Sequence, residues 1–280
     1  MTSTRNRRDQ CPGVLRPWPA DDGLLVRLRL VGGRLPVADL LSLLDVAERY
    51  GDGRVHVTGR ANLQVRAFPG ADGRLTDEAL GALRSTGLVP SLTHDLVRNV
   101  MVSPQTGLAG GRADLRPVAA RLDRELQSEA SLSTLPGRFL FVLDDGRGDL
   151  LDRPCDLGLV ALTDRLAQLR VGPRWGEVVD LDGASGHLLA RAREFQEARG
   201  DGPGAPWHVA ELSAPLGRPA APDPRLPSPA PPLPFGAVPG GTHRPWPESG
   251  LSRTDLPALP GGTDLVVTPW HGVLVPGAPR

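Results

Sequence analysis

Residues 55–66 read VHVTGRANLQVR, with Thr58, Arg60, Asn62, Gln64 and Arg66 on one parity and Val57, Ala61, Leu63 and Val65 on the other. Guanidinium forks interleaved with hydroxyl and amide groups can hold a carboxylate or an oxyanion through several charge-assisted hydrogen bonds. Alternate side chains of a strand leave on opposite faces, so the same pattern equally describes the solvated face of an antiparallel sheet. Two further positions invite the same chemistry. Arg98 and Asn99 interrupt the apolar run VRNVMVS, where an arginine either snorkels at a sheet edge or points into a polar site. Arg138 opens the apolar stretch GRFLFVL, and beyond it Asp144, Asp145 and Asp149 crowd a turn. Clustered carboxylates suit metal binding or proton transfer, but Asp-Gly pairs are also ordinary turn formers.

Other chemistry finds less support. The histidines at 56, 94, 187, 208, 243 and 271 have no ligand spacing, and Cys11 and Cys155 form no C-x-x-C, so no metal site is expected. Two cysteines do not suffice for a four-cysteine iron–sulfur cluster. Neither a phosphate-cradling glycine loop, a nucleophile elbow nor an H-E-x-x-H helix occurs, which argues against a hydrolase. All 32 basic residues are arginine, so each cationic site is a planar fork and none is a Schiff-base lysine. The 32 acidic residues balance them, leaving no overall field to attract nucleic acid or an anionic membrane. No apolar run approaches the roughly 20 residues of a membrane helix. The leader MTSTRNRRDQCPG lacks the apolar segment of a signal peptide, and a cytoplasmic location is expected.

These residues need elements to position them. Residues 24–31 predict a strand, GGR a turn, and PVADLLSLLDVAERYG a helix with Pro36 in its first turn, an apolar stripe of Val37, Leu40, Leu41, Leu44 and Ala47, and Gly51 past its end. The 55–66 strand follows, then a helix over 77–85 capped by Thr76. Strand, helix, strand, helix predicts a compact α+β unit with helices on one face of a small sheet. A second region carries a strand at 97–103, a helix over 117–126 capped from Asp114, a hairpin over 137–150 turning at Asp145-Gly146, strands in CDLGLVALT and QLRVGPRWGEVV, and a helix over 184–199. From Pro203 to Pro260 proline and glycine dominate, which predicts an extended or disordered stretch. The tail DLVVTPWHGVLVPG (264–277) then repeats the pattern of RVHVTGRANLQVRAFPG (54–70). That predicts two copies of one unit, with the helix of the second reduced to little more than RTDLPALPG.

In order and spacing, RDQCPGVLRP, TGRANLQVR, VRNVMVSP and GRFLFVLDDGRGD resemble the nitrite and sulfite reductase ferredoxin-like family, closest to its actinobacterial precorrin-3B synthase branch in cobalamin biosynthesis. The resemblance implies an α+β fold: a polar leader over 1–10, a ferredoxin-like half-domain over 11–90, a reductase-type domain over 91–202, a Pro/Gly-rich linker over 203–262, and strands of a second half-domain over 263–280. It implies an oxidoreductase of tetrapyrrole metabolism in which Arg98 and Arg138 serve catalysis and Thr58, Arg60, Asn62, Gln64 and Asn99 bind the ligand. That ligand would be a precorrin substrate, sirohaem or a small oxyanion; a tetrapyrrole rimmed with carboxylates needs several forked cations. A non-catalytic tetrapyrrole- or anion-binding module is the alternative. The sequence departs from the reductases at Leu140, where they carry a second basic residue, and at Ala61, where they often carry glutamine. The family's cluster ligands are expected to be missing here, so that a cluster-bearing or electron-donor partner would have to supply them.

Overall fold

The computed structural model describes residues 9–256 and 264–277, in which the chain divides into two compact units. The leader up to residue 8, and RTDLPALPG from residue 257 onward, lie outside the described residues. One unit, the repeat unit, is built from Pro12–Leu96 and the chain from Pro232 on. The other, the sheet unit, takes Val97–Pro231 and the segment up to Cys11.

The repeat unit opens with the antiparallel hairpin β1 (Trp18–Ala20) and β2 (Gly23–Leu28), followed by a short strand β3 (Arg34–Pro36) and helix α1 (Val37–Tyr50). Pro36, at ψ 136°, is the N-cap of α1 and not part of its first turn. Leu40, Leu43, Leu44, Val46 and Ala47 form its buried face, whereas Leu41, part of the predicted stripe, is exposed, and Leu43 and Val46 are buried in its place. The stretch 55–66 is not one strand. It is a hairpin of β4 (His56–Val57) and β5 (Leu63–Phe68) with His56 opposite Gln64 and Val57 opposite Leu63. A small hairpin of β6 (Gly70–Ala71) and β7 (Arg74–Leu75) precedes α2 (Asp77–Ser85), whose cap Thr76 accepts from the Ala79 amide at 3.3 Å.

The sheet unit holds five strands, β8 (Val100–Val102), β9 (Phe141–Asp144), β10 (Leu157–Ala161), β11 (Leu166–Val171) and β12 (Arg174–Asp180), in spatial order β12-β11-β10-β9-β8. Every residue of β8, β9 and β10 is buried, as expected of strands covered on both faces. Helices α3 (Arg116–Ser128) and α4 (Ala184–Arg199) pack on each other, α3 also against β8 and α4 against β10. The predicted hairpin over 137–150 is replaced by parallel pairing of β9 with both β8 and β10. The Asp145-Gly146 loop leads away from β9 because Asp144 gathers it: its carboxylate accepts from the amides of Gly146, Gly148 and Leu150, each at 2.9 Å. Leu115, not Asp114, is the N-cap of α3, but Asp114 Oδ1 accepts from the first helical amide, Arg116 N, at 3.0 Å, and its carboxylate also pairs with the Arg116 guanidinium. Between 212 and 231 the chain has no helix or strand, yet it is fastened: buried Gln168 donates to Ala221 O at 2.8 Å and accepts from Asp223 N at 2.8 Å.

Strands also occur inside the Pro/Gly-rich stretch. β13 (Gly236–Val238) and β14 (Gly241–Pro245) form a hairpin in the repeat unit, completed by β15 (Asp264–Thr268) and β16 (Gly272–Pro276). The order β13-β14-β16-β15 matches β1-β2-β5-β4, so the two copies share one topology. Where the first copy has α1, the described residues of the second have only a single 3-10 turn, Arg253–Asp255. The copies exchange edges. β3, just before α1, pairs with β15 of the second copy, and Leu251, just before the 3-10 turn, bridges to Val55 beside β4. Their apolar faces merge into one core that includes Leu28, Leu35, Leu44, Leu63, Trp246, Leu265 and Val267.

Candidate functional site

The parity of 55–66 survives the hairpin because its turn occupies the five residues Thr58–Asn62. Thr58 N donates to Asn62 O and Ala61 N to Thr58 O, both at 2.9 Å, and Ala61 takes φ 55° to close the turn. Thr58 Oγ1 accepts from the amides of Arg60 at 3.4 Å and Asn62 at 3.3 Å, so this hydroxyl braces the turn. Asn62, 1 % exposed, accepts from Leu30 N at 3.0 Å through Oδ1 and ties the turn to the chain after β2. Gln64 Oε1 accepts from Arg27 at 3.4 Å. Arg66 forms a two-pronged pair with Asp22 at 2.9 and 3.2 Å. The turn therefore presents Arg60, half-buried, as its cationic side chain, on a base made by Thr58 and Asn62.

In the sheet unit Arg98 precedes β8 and meets Asp123 of α3 fork to fork, Nε to Oδ1 at 2.6 Å and Nη2 to Oδ2 at 3.0 Å. Only 9 % of the Arg98 side chain and 18 % of the Asp123 side chain are exposed. Asn99 is buried and donates to Gly137 O at 2.9 Å, fixing the loop that carries Arg138. Arg138 is exposed, lies over the Trp207 ring at 5.2 Å and approaches Asp9 Oδ1 at 3.4 Å. The structure thus brings Arg98 and Asn99 onto the edge of one sheet and gives both candidate cations of this unit, Arg98 and Arg138, a carboxylate of the chain itself. Asp123, Asp9 and Trp207 carry that arrangement without having been singled out in the sequence. For Asp123 a signal exists: it follows Leu122 in a helix whose buried residues are Val118, Ala119, Leu122 and Leu126, so it flanks the core-facing stripe.

The acidic turn is structural. Asp145 pairs with Arg147 at 2.9 and 2.7 Å, and Arg147 also donates to Gln105 Oε1 at 2.7 Å and Ala109 O at 2.8 Å. Asp149 accepts from Ser103 Oγ at 2.6 Å, and burial, aided by the Asp144 charge, pushes its carboxyl up to about 7. Among the described residues no group of three metal-ligating side chains occurs. Burial pushes the Cys155 thiol up to about 11, whereas a cluster ligand must be a thiolate. The described residues do not fit an iron–sulfur cluster. An aliphatic cavity of about 410 Å³ in the repeat unit, lined by Leu40, Trp246, Leu251 and Leu265 among others, offers few groups for an anion beyond Arg244.

The fold defines a mixed α+β protein with a duplicated hairpin unit. Residues 19–83 match the family described as the nitrite/sulfite reductase ferredoxin-like half domain. A precorrin-3B synthase of Sinorhizobium is 30% identical over 141 residues, which is 50% of this chain and 29% of that protein. A ferredoxin–nitrite reductase of Synechococcus elongatus is 33% identical over 130 residues, 44% of this chain and 25% of the relative. Each match therefore takes in under a third of the relative's length. The structure of the Mycobacterium tuberculosis NirA protein superposes with a TM-score of 0.64 at 17% identity, over 93% of this chain and 57% of that one, a likeness of fold.

Proposed function

We propose that this chain is an oxidoreductase-family protein of tetrapyrrole metabolism that binds a carboxylate-rich macrocycle or a small oxyanion through the Thr58–Asn62 turn. The observation that carries the reading is Arg60, held on a braced turn inside the segment matched to the half-domain family. Arg60 offers the fork for a carboxylate, Thr58 and Asn62 keep the turn rigid, and Gln64 adds a neutral amide alongside. For the sheet unit the proposal assigns catalysis to Arg98 and Arg138 and ligand binding to Asn99, which fixes the loop carrying Arg138. A bound tetrapyrrole would supply the redox chemistry; these side chains would bind and orient it.

One observation favours a second reading, a binding module without turnover. The Arg98 fork is filled by Asp123, and a cation neutralised by its own chain contributes little field to a reacting oxyanion. Titration of the purified chain with sirohaem, followed by assay with nitrite or sulfite and a reduced viologen donor, separates the readings. A shifted Soret band with turnover supports the enzyme, and a shifted band alone supports the module. No band shift, with no binding of nitrite or sulfite by calorimetry, removes both.

A further inference from the structure

The two hairpin turns of the repeat unit are built alike and meet at their tips. In the second copy Thr268 stands opposite Gly272 and Val267 opposite Val273, the register in which Val57 faces Leu63 and Thr58 bonds to Asn62 in the first. His271 takes φ 55°, as does Ala61 at the corresponding place. A β-carbon built on Gly59 would lie 3.8 Å from His271 Nε2, so TGRAN and TPWHG share one edge of the unit.

The side chains there are chemically distinct from the rest of the sheet. Arg60 and Trp270 are half-buried and His271 is exposed. Trp270 stands edge-on to His243, ring centroids 6.4 Å apart, and His243 stacks on Phe235 at 4.5 Å. His243 is locked in turn: Nδ1 donates to the carbonyls of Leu233 and Pro234, both at 3.1 Å, and Nε2 accepts from Thr268 Oγ1 at 2.9 Å. The carbonyl of His271 accepts from Trp246 N at 2.9 Å, which fixes the turn's backbone. The indole therefore rests on a packed aromatic support and the imidazole on a pinned turn. A left-handed residue other than glycine costs about 1 kcal/mol, and glycine or asparagine would fill the position more cheaply. A histidine kept there, exposed and beside the tip of the first turn, points to a use outside folding.

We propose that Trp270 and His271 of the second copy join Arg60 of the first in one binding edge for a planar, carboxylate-bearing ligand. The indole would stack on the ligand plane, while Arg60 and His271 would receive its peripheral carboxylates. The ligand class rests on the reading given above; the assignment of the second turn to the same site does not follow from it.

The test is fluorescence and absorbance titration of the full chain with uroporphyrin III, an octacarboxylate, using wild type, Arg60→Ala, Trp270→Ala and His271→Gly, with Trp18→Ala as an exposed-tryptophan control. His271→Gly removes the imidazole and relieves the backbone, so it folds at least as well as wild type. The expected result is a loss of affinity of roughly tenfold for each of the three site variants, the scale of one charge-assisted bond or stacked ring, and none for the control. Wild-type affinity in both Trp270→Ala and His271→Gly, with Arg60→Ala weakened, overturns this inference and leaves the ligand class standing. A wild type that binds no porphyrin overturns both.

Discussion

Asp149 shows how burial decides a side chain's behaviour more than its type does. Its carboxyl titrates at about 7 because desolvation, then the neighbouring Asp144 charge, penalise the ionised form, outweighing the Ser103 hydroxyl and Arg147. The folded pKa is raised above the ordinary 3.8. The stability this group contributes is therefore complete below the ordinary value and is lost as pH rises through about 7. Asp149→Asn keeps an acceptor for Ser103 and removes the ionisation. Its melting temperature should exceed wild type at about pH 8 and converge on it toward about pH 4. A constant difference across that range would dispose of the burial account. Arg98 makes the opposite case, a charge stabilised by its partner. Arg98→Ala leaves a partly buried carboxylate without its partner and should cost about 1–3 kcal/mol in urea unfolding, whereas Arg98→Met with Asp123→Leu should recover most of it. Loss of ligand binding in Arg98→Ala alone would be ambiguous; loss in the double variant would implicate Arg98 itself.

Among the elements, helices were legible in the sequence and chain reversals were not. The helix over 77–85 declares itself through Thr76, a hydroxyl cap followed by acidic residues, and Thr76→Ala should cost about 1 kcal/mol while Thr76→Ser is nearly neutral, by thermal melts. The turn at Thr58–Asn62 is hidden because an odd-length reversal preserves parity, so two short strands read as one; only Ala61 at positive φ marks the bend, and alanine carries no such signal. The loop after Asp144 reads as a hairpin because Asp-Gly is a hairpin signal, and three amide bonds to one buried carboxylate redirect it. The cationic residues were visible, but their partners Asp123 and Asp9 come from other segments, and no local spacing announces them. Gly33 and Gly73 separate backbone freedom from close approach. Both have positive φ, 70° and 69°, but a β-carbon on Gly33 collides with the Val267 carbonyl where β3 meets β15, and one on Gly73 meets nothing within 4 Å. Gly73→Ala should cost about 1–2 kcal/mol and Gly33→Ala distinctly more. Equal losses in chemical denaturation would mean that the β3–β15 edge yields.

At the scale of the molecule, the repeat seen faintly in the tail is the organising feature of one unit. Two copies with the same strand order are joined each way, β3 adding a strand to the second copy's sheet beside β15 and Leu251 bridging to Val55 of the first. The second copy has only a 3-10 turn in its described residues where the first has α1, and the merged core takes its place in burying the β15 and β16 faces. Trp246 is the joint. Its ring is 5 % exposed in that core, and its Nε1 donates to Val55 O at 2.8 Å, the carbonyl that also receives Leu251 N at 2.8 Å. Trp246→Phe keeps most of the burial and drops one bond, a loss of about 1 kcal/mol. Trp246→Ala opens a cavity and should cost about 3–5 kcal/mol. If the copies share one cooperative core, native-state hydrogen exchange in Trp246→Ala will show the amides of α1 and those of β15 and β16 losing protection together. Faster exchange confined to the second copy would mean that the exchanged edges touch without coupling, and that the first half-domain holds its own fold.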